Sequence, residues 1–145
     1  AEAGGTVLVQ YATKPRREAL DVPLMPHLMT LGRGRVTDET AAVELLAPDH
    51  PLLHHPHEIS AADFEGWVQE RGLYFADTWD DRYAPLLEMA DPGEDPLRGS
   101  LLVADVGEGR YVYTGLAFFR QLPEGVPGAY RLLANLVSLG RTAAP

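Results

Sequence analysis

Four of the five histidines, His50, His54, His55 and His57, lie within eight residues. Imidazole is the commonest metal ligand at neutral pH. If this segment held a metal, His54 and His57 with Asp49 or Glu58 would be its first ligands. Pro51 and Pro56 interrupt the run, and neither a His-Glu-x-x-His helix pattern nor a finger spacing is present. The plainer reading is a surface loop with incidental histidines. A small metal-dependent hydrolase built on the His50–His57 cluster is the alternative.

A second group is acidic. Asp77, Asp80 and Asp81 surround Trp79, and Asp91, Glu94 and Asp95 crowd a Pro/Gly loop. Carboxylates paired beside an aromatic platform can hydrolyse or hold a sugar. Trp79, Asp80 and Asp81 are therefore candidate ligand-binding residues with carbohydrate as the partner, while the same residue types also serve as exposed turn formers. Arg120 joins this set from the run Phe118-Phe119-Arg120-Gln121-Leu122-Pro123. Two adjacent aromatics followed by Arg-Gln cannot all point inward, so part of that run must lie at a surface able to bind another domain. Gly32-x-Gly34 and Gly107-x-Gly109 lack the strand-loop-helix setting and third glycine of a dinucleotide loop. No Gly-x-Ser-x-Gly elbow exists, and Ser60, Ser100 and Ser138 have no triad context.

Composition narrows the classes further. The chain has 145 residues, the length of one domain with a real core. Twelve basic against 21 acidic residues give a net charge of −9, which argues against a nucleic-acid partner. No apolar run approaches the roughly 18–20 residues of a membrane helix. With no cysteine there is no disulfide, no thiolate zinc site and no cysteine nucleophile. Eleven of the twelve basic residues are arginine and Lys14 is the one lysine, a bias expected of a GC-rich genome. The chain opens at Ala1-Glu2-Ala3 without an initiator Met or a targeting segment, and is expected to be a piece of a longer protein.

These residues need elements to position them. Thr6–Tyr11 is a short, almost continuous apolar run that suits a strand buried on both faces. Residues 12–41, broken by Pro15, Pro23 and Pro26 and by the Gly32-Arg33-Gly34-Arg35 stretch, are expected to form a long surface excursion. Val43–Leu46 is a short strand stopped by Pro48. Ser60 as N-cap, Asp63 at N3, an Ile59/Phe64 staple and the Phe64, Trp67, Val68 stripe predict a helix over 61–71 that Gly72 closes. Residues 73–76 and 83–89 read as strands, and 101–106 with 110–114 as a hairpin around a three-residue loop, Gly107-Glu108-Gly109. A helix is expected from Pro127 to about Gly140, with Ala129, Leu132, Leu133, Leu136 and Val137 on its apolar face. Strands and helices interleave, so the class is α/β or α+β.

Several longer strings carry a resemblance. They are Asp63-Phe64-Glu65-Gly66-Trp67-Val68-Gln69-Glu70-Arg71-Gly72-Leu73-Tyr74-Phe75, and Tyr113-Thr114-Gly115-Leu116-Ala117-Phe118-Phe119-Arg120-Gln121-Leu122-Pro123 continued by Gly125-Val126-Pro127-Gly128-Ala129-Tyr130-Arg131-Leu132. Gly4-Gly5-Thr6-Val7-Leu8-Val9-Gln10-Tyr11 and Arg35-Val36-Thr37-Asp38-Glu39 belong with them. Together they resemble the C-terminal region of long PIG-L (LmbE-like) family deacetylases, over nearly the whole chain. The resemblance implies a flavodoxin-like, class I glutamine-amidotransferase-like layered sheet with flanking helices, here one accessory α/β domain over 1–145 that the family pattern would make a truncated one. It implies a bacterial parent that removes N-acetyl groups from amino sugars, with zinc in an N-terminal catalytic domain as this chain's partner. Secretion or a periplasmic location comes with the resemblance alone. The family's His-x-Asp-Asp metal motif does not occur here, because Thr78-Trp79 precede Asp80-Asp81, so no catalytic residue carries over and no cofactor is expected in this chain. An amidotransferase nucleophile is ruled out by the missing cysteine. The expected function is a non-catalytic accessory domain for packing, oligomerisation or substrate presentation; a structural homo-oligomerisation module is a further alternative. In the family pattern the Gly-Gly-Thr strand falls midway through its domain, which would leave residues 6–11 at a sheet edge able to recruit a partner strand.

Overall fold

The computed structural model describes residues 1–13, 16–17 and 22–138. Lys14, Pro15 and Gly140 lie outside them. The centre is a four-stranded mixed sheet with order β1-β10-β9-β7. It comprises β1 (Thr6–Gln10), β7 (Ala84–Pro85), β9 (Leu101–Val106) and β10 (Gly109–Thr114). β9 and β10 form the expected hairpin, turned in two residues because Gly107 takes a φ of 59° and Gly109 already pairs with Val106. β1 runs parallel to β10, with Val7 opposite Tyr111 and Val9 opposite Tyr113.

Period-two alternation along β9 and β10 divides the core into two layers. Leu101, Val103 and Val112 face one cluster, with Ala129, Leu132 and Leu136 of the helix α2 (Pro127–Ser138). Leu102, Ala104, Tyr111 and Tyr113 face the other, against Met25, Met29, Ala76 and Tyr83. The molecule is a mixed α/β structure with a helix on one face of its central sheet. A further short helix, α1 (Phe118–Gln121), follows β10.

Smaller pairings surround this sheet. β2 (Arg16–Arg17) pairs with β3 (Val22–Pro23), β4 (Met29–Val36) with β6 (Gly72–Trp79), and β5 (Val43–Leu45) with β8 (Leu87–Met89), all antiparallel. The expected strand over 83–89 is thus divided between two sheets. β7 joins β9, β8 joins β5, and Leu86 between them donates its N–H to Leu101 O and accepts from Leu46 N–H.

Three expectations need correction. First, the expected surface excursion over 12–41 contains the eight-residue strand β4, which pairs with β6 through three register irregularities. Gly32 and Gly34 do not break it; they admit Asp77 and Phe75, whose Cβ atoms would lie 3.2 and 3.4 Å from a Cβ at those glycines. Second, β1 is not buried on both faces: it is the rim strand of its sheet, with Val7 39% exposed.

Third, the helix over 61–71 is one 3-10 turn, Ala61–Phe64. Its start is as expected, with Ser60 and Asp63 forming a reciprocal capping box. Tertiary bonds then take the groups a helix would have used. Asp63 O accepts the Trp67 indole N–H at 2.9 Å, Phe64 O accepts from the Arg71 guanidinium, and Val68 N–H goes to Gln121 Oε1 at 2.7 Å. Glu65 is already extended and Gly66 follows at φ 73°, while Phe64 and Trp67 are still buried as the stripe required.

Candidate functional site

β6 carries distinct side-chain groups at its two ends. Tyr74 lies near its start and Trp79 is its last residue, about 16 Å further on at roughly 3.3 Å per residue. The Tyr74 end gathers three distant segments. Tyr11 follows β1, Gln69 and Glu70 precede β6, and Phe119 and Arg120 lie on α1. Phe118 and Gln121, three apart on that helix, are buried, which turns Phe119 and Arg120 outward.

The Tyr11 ring meets Tyr74 edge-on at 5.0 Å and Phe119 at 4.9 Å. Glu70 Oε1 accepts both the Tyr11 hydroxyl and Arg120 Nε, each at 3.0 Å. The Arg120 guanidinium carbon also sits 4.9 Å from the Phe119 ring centroid, a cation–π contact. Burial, and next the hydrogen bond and charge of Glu70, push the Tyr11 hydroxyl up to about 12, so it stays protonated and acts as a donor. Tyr11, Gln69 and Tyr74 are the non-glycine residues in the left-handed region among those described, at φ 53°, 71° and 59°. Each such conformation costs roughly 1–3 kcal/mol and persists only where its surroundings impose it.

Those surroundings are visible. Gln121, fully buried, accepts Val68 N–H and donates to Val68 O and Glu70 O. Arg71 is 4% exposed and donates to Ala41 O at 3.1 and 2.7 Å, and to Phe64 O. Its guanidinium lies 5.8 Å from the Phe64 ring centroid and 6.0 Å from that of Trp67. Burial lowers its proton affinity below the ordinary arginine value. Tyr113 donates its hydroxyl to Tyr74 O, and burial raises its pKa. The polar atoms at this end are therefore bonded chiefly to one another.

The Trp79 end is built differently. Met29 pairs with Trp79 and Thr30 with Thr78. The two threonine hydroxyls lie 2.7 Å apart, and Thr30 Oγ1 also accepts Thr78 N–H at 3.1 Å. Leu28, Met29, Thr30, Thr78, Trp79 and Asp80 line an open cavity of about 350 Å³. Asp80 Oδ1 accepts Arg82 Nε at 2.7 Å and Arg82 N–H at 3.0 Å, and Oδ2 accepts Nη2 at 2.9 Å. That fork holds the carboxyl far below the usual carboxylate range. Of the residues singled out in the sequence, Trp79 and Asp80 meet in this cavity. Asp81 is exposed and does not line it, and Arg120 belongs to the other end of β6.

The histidine segment serves neither end. Asn135 of α2 donates to Leu52 O and His57 O and accepts His57 N–H, so the loop is fastened by its backbone. His54 Nε2 lies 2.5 Å from Pro48 O and Nδ1 lies 2.7 Å from Glu58 Oε2. Both ring nitrogens are thus engaged with neighbouring acceptors, a backbone carbonyl and a carboxylate. The hydrogen bond to the Glu58 carboxylate, then that to Pro48 O, raises its pKa. Among the described residues no group of three or more acidic or histidine side chains is arranged to hold a metal. Burial lowers the pKa of His50, whose Nδ1 accepts Leu52 N–H.

No family model, curated protein or solved structure matches the chain. The geometry alone makes the class mixed α/β. Outside the longer strings, Tyr11, Gln69, Glu70 and Tyr74 carry no chemical motif of their own, and their common place follows from the β1–β10 pairing together with the Gln121 bonds. Thr30 and Thr78 were hidden for a related reason, since the pairing of β4 with β6 spans 48 residues. Within the described residues no helix is long and apolar enough to cross a membrane.

Proposed function

We propose that this chain is a non-catalytic accessory domain of a PIG-L-like, zinc-dependent deacetylase of N-acetyl amino sugars, on a flavodoxin-like, class I glutamine-amidotransferase-like layered sheet. The surface at the Tyr74 end of β6 is its packing face toward the catalytic domain. One observation carries the reading: the separate strings of the resemblance converge at that end. Tyr11 comes from the 4–11 string, Gln69, Glu70 and Tyr74 from the 63–75 string, and Phe119, Arg120 and Gln121 from the 113–123 string. Phe119 is 51% exposed there, and an aromatic beside an arginine is the side-chain pair enriched at protein interfaces. The parallel β1–β10 pair with α2 on one face supports the layered sheet. The strings of a family with an intact catalytic centre would bring together a nucleophile or a metal set. Here they bring together two tyrosines, a phenylalanine and a carboxylate–guanidinium pair.

The test is amine release from an N-acetylglucosaminyl substrate by the purified chain with added zinc. The account expects release no faster than the buffer blank. Turnover that disappears when His54 and His57 are replaced by alanine would overturn it and make the histidine loop an active site.

A further inference from the structure

We infer that the cavity at the Trp79 end of β6 is a binding site for a neutral pyranose carbohydrate. This inference is separate from the accessory-domain reading and uses none of the residues on which that reading rests. At about 350 Å³ the cavity sits at the small end of the roughly 300–1,000 Å³ range of ligand sites, and its lining is mixed in a specific way. Trp79 is half-buried and packs on the core layer of Met29 and Tyr83, so the indole is fixed in place. Leu28 stands 84% exposed at the rim. An apolar side chain left so open beside a fixed indole gives two apolar surfaces for the C–H face of a sugar ring.

The polar groups are of the complementary kind. The Thr30 and Thr78 hydroxyls, 2.7 Å apart and exposed, can each donate and accept. Asp80 is ionised, and its side chain keeps 26% of its surface open. A carboxylate offers about four lone-pair sites, of which Arg82 fills three. The remaining capacity is an anionic acceptor for a hydroxyl donor, the stronger class of hydrogen bond. Among the described residues no cationic side chain lines the cavity; Arg82 is turned into Asp80. A phosphate or an acidic sugar would therefore face a carboxylate without a counter-charge, on a chain of net charge −9. A wholly apolar ligand would leave Asp80 and the two hydroxyls unsolvated. The chemistry left is a ring with a C–H face and neighbouring neutral hydroxyls.

The experiment is titration of the whole chain with three neutral trisaccharides, cellotriose, maltotriose and N,N′,N″-triacetylchitotriose, followed by the two tryptophan indole N–H resonances. Trp67 is 3% exposed and on the other core layer, so it serves as the internal control. At least one trisaccharide at up to about 10 mM, ample for a dissociation constant near 1 mM, is expected to shift the Trp79 resonance and leave Trp67 still. Trp79→Ala, followed by saturation-transfer signals on the sugar, is expected to weaken binding at least tenfold. Thr78→Val, which keeps the indole probe and the strand, is expected to weaken it about threefold. A trigalacturonate of the same length is expected to leave both indoles unmoved. The inference is overturned if no neutral trisaccharide shifts Trp79, if binding survives Trp79→Ala undiminished, or if the acidic sugar binds as well as the neutral ones.

Discussion

The two ends of β6 share one strand and differ in what their polar groups are bonded to. At the Tyr74 end, Glu70, Tyr11, Arg120 and Gln121 form bonds among themselves and with the backbone, and they hold residues in left-handed conformations. At the Trp79 end, Asp80, Thr30 and Thr78 surround an open volume. An internally satisfied cluster gives a rigid, shaped surface, which suits a standing contact with another domain. A cluster arranged around a cavity has bonding capacity left for a small molecule. The difference teaches that residue type alone does not mark a site, since both ends offer an aromatic, a carboxylate and an arginine.

The comparison breaks most severely at the strand itself. Gly99 lies against the middle of β6: a Cβ there would sit 1.9 Å from Ala76 O, and Ala76 N–H donates to Gly99 O. Gly99→Ala is expected to cost more than about 4 kcal/mol and to lose both ends together in urea unfolding. A wild-type midpoint for that variant would show that β6 is not the spine described. Arg71→Met acts at one end only. It strips the partners from the Ala41 and Phe64 carbonyls, and each unsatisfied buried group costs about 1–3 kcal/mol. A total loss of roughly 2–4 kcal/mol is expected, with amide exchange accelerated over residues 64–74 more than around Trp79. Uniform acceleration along β6 would count against two separable ends.

How far each end was legible in the sequence differs for physical reasons. Hairpin, capping box and α2 follow from local spacing, as does the need for part of the 118–123 run to reach the surface. The stop of the 61–64 turn did not, because Arg71, Trp67 and Gln121 compete for the helix's own backbone groups from outside any short window. β4 was read as loop because its glycines look like breakers until Phe75 and Asp77 are known to pack there. Trp79 and Asp80 were found as neighbours in sequence. Glu70 and Tyr11, 59 residues apart, left no trace in any spacing.

Smaller effects sharpen the contrast. Glu70→Gln removes the charge facing Tyr11, so the tyrosine pKa is expected to fall from about 12 toward, but not to, its ordinary value of 10, since burial remains. Absorbance titration near 295 nm follows it. The sign for stability is set by the raised folded pKa. In the wild-type chain the Tyr11 contribution is complete below pH 10 and is lost as pH rises through about 12, and in Glu70→Gln that window narrows. An unchanged titration would place the carboxylate away from the hydroxyl. Thr78→Val should be the mildest change, within about 0.5 kcal/mol by thermal melting, because its hydroxyl is exposed. A loss well beyond that would mean that the Trp79 end is also a structural cluster.

The most direct test of the accessory-domain account is calorimetric titration of a PIG-L-like catalytic domain with this chain. The account predicts saturable one-to-one association that Phe119→Ala with Arg120→Ala weakens at least tenfold and Trp79→Ala leaves unchanged. Absence of association, or equal weakening by changes at both ends of β6, would contradict it.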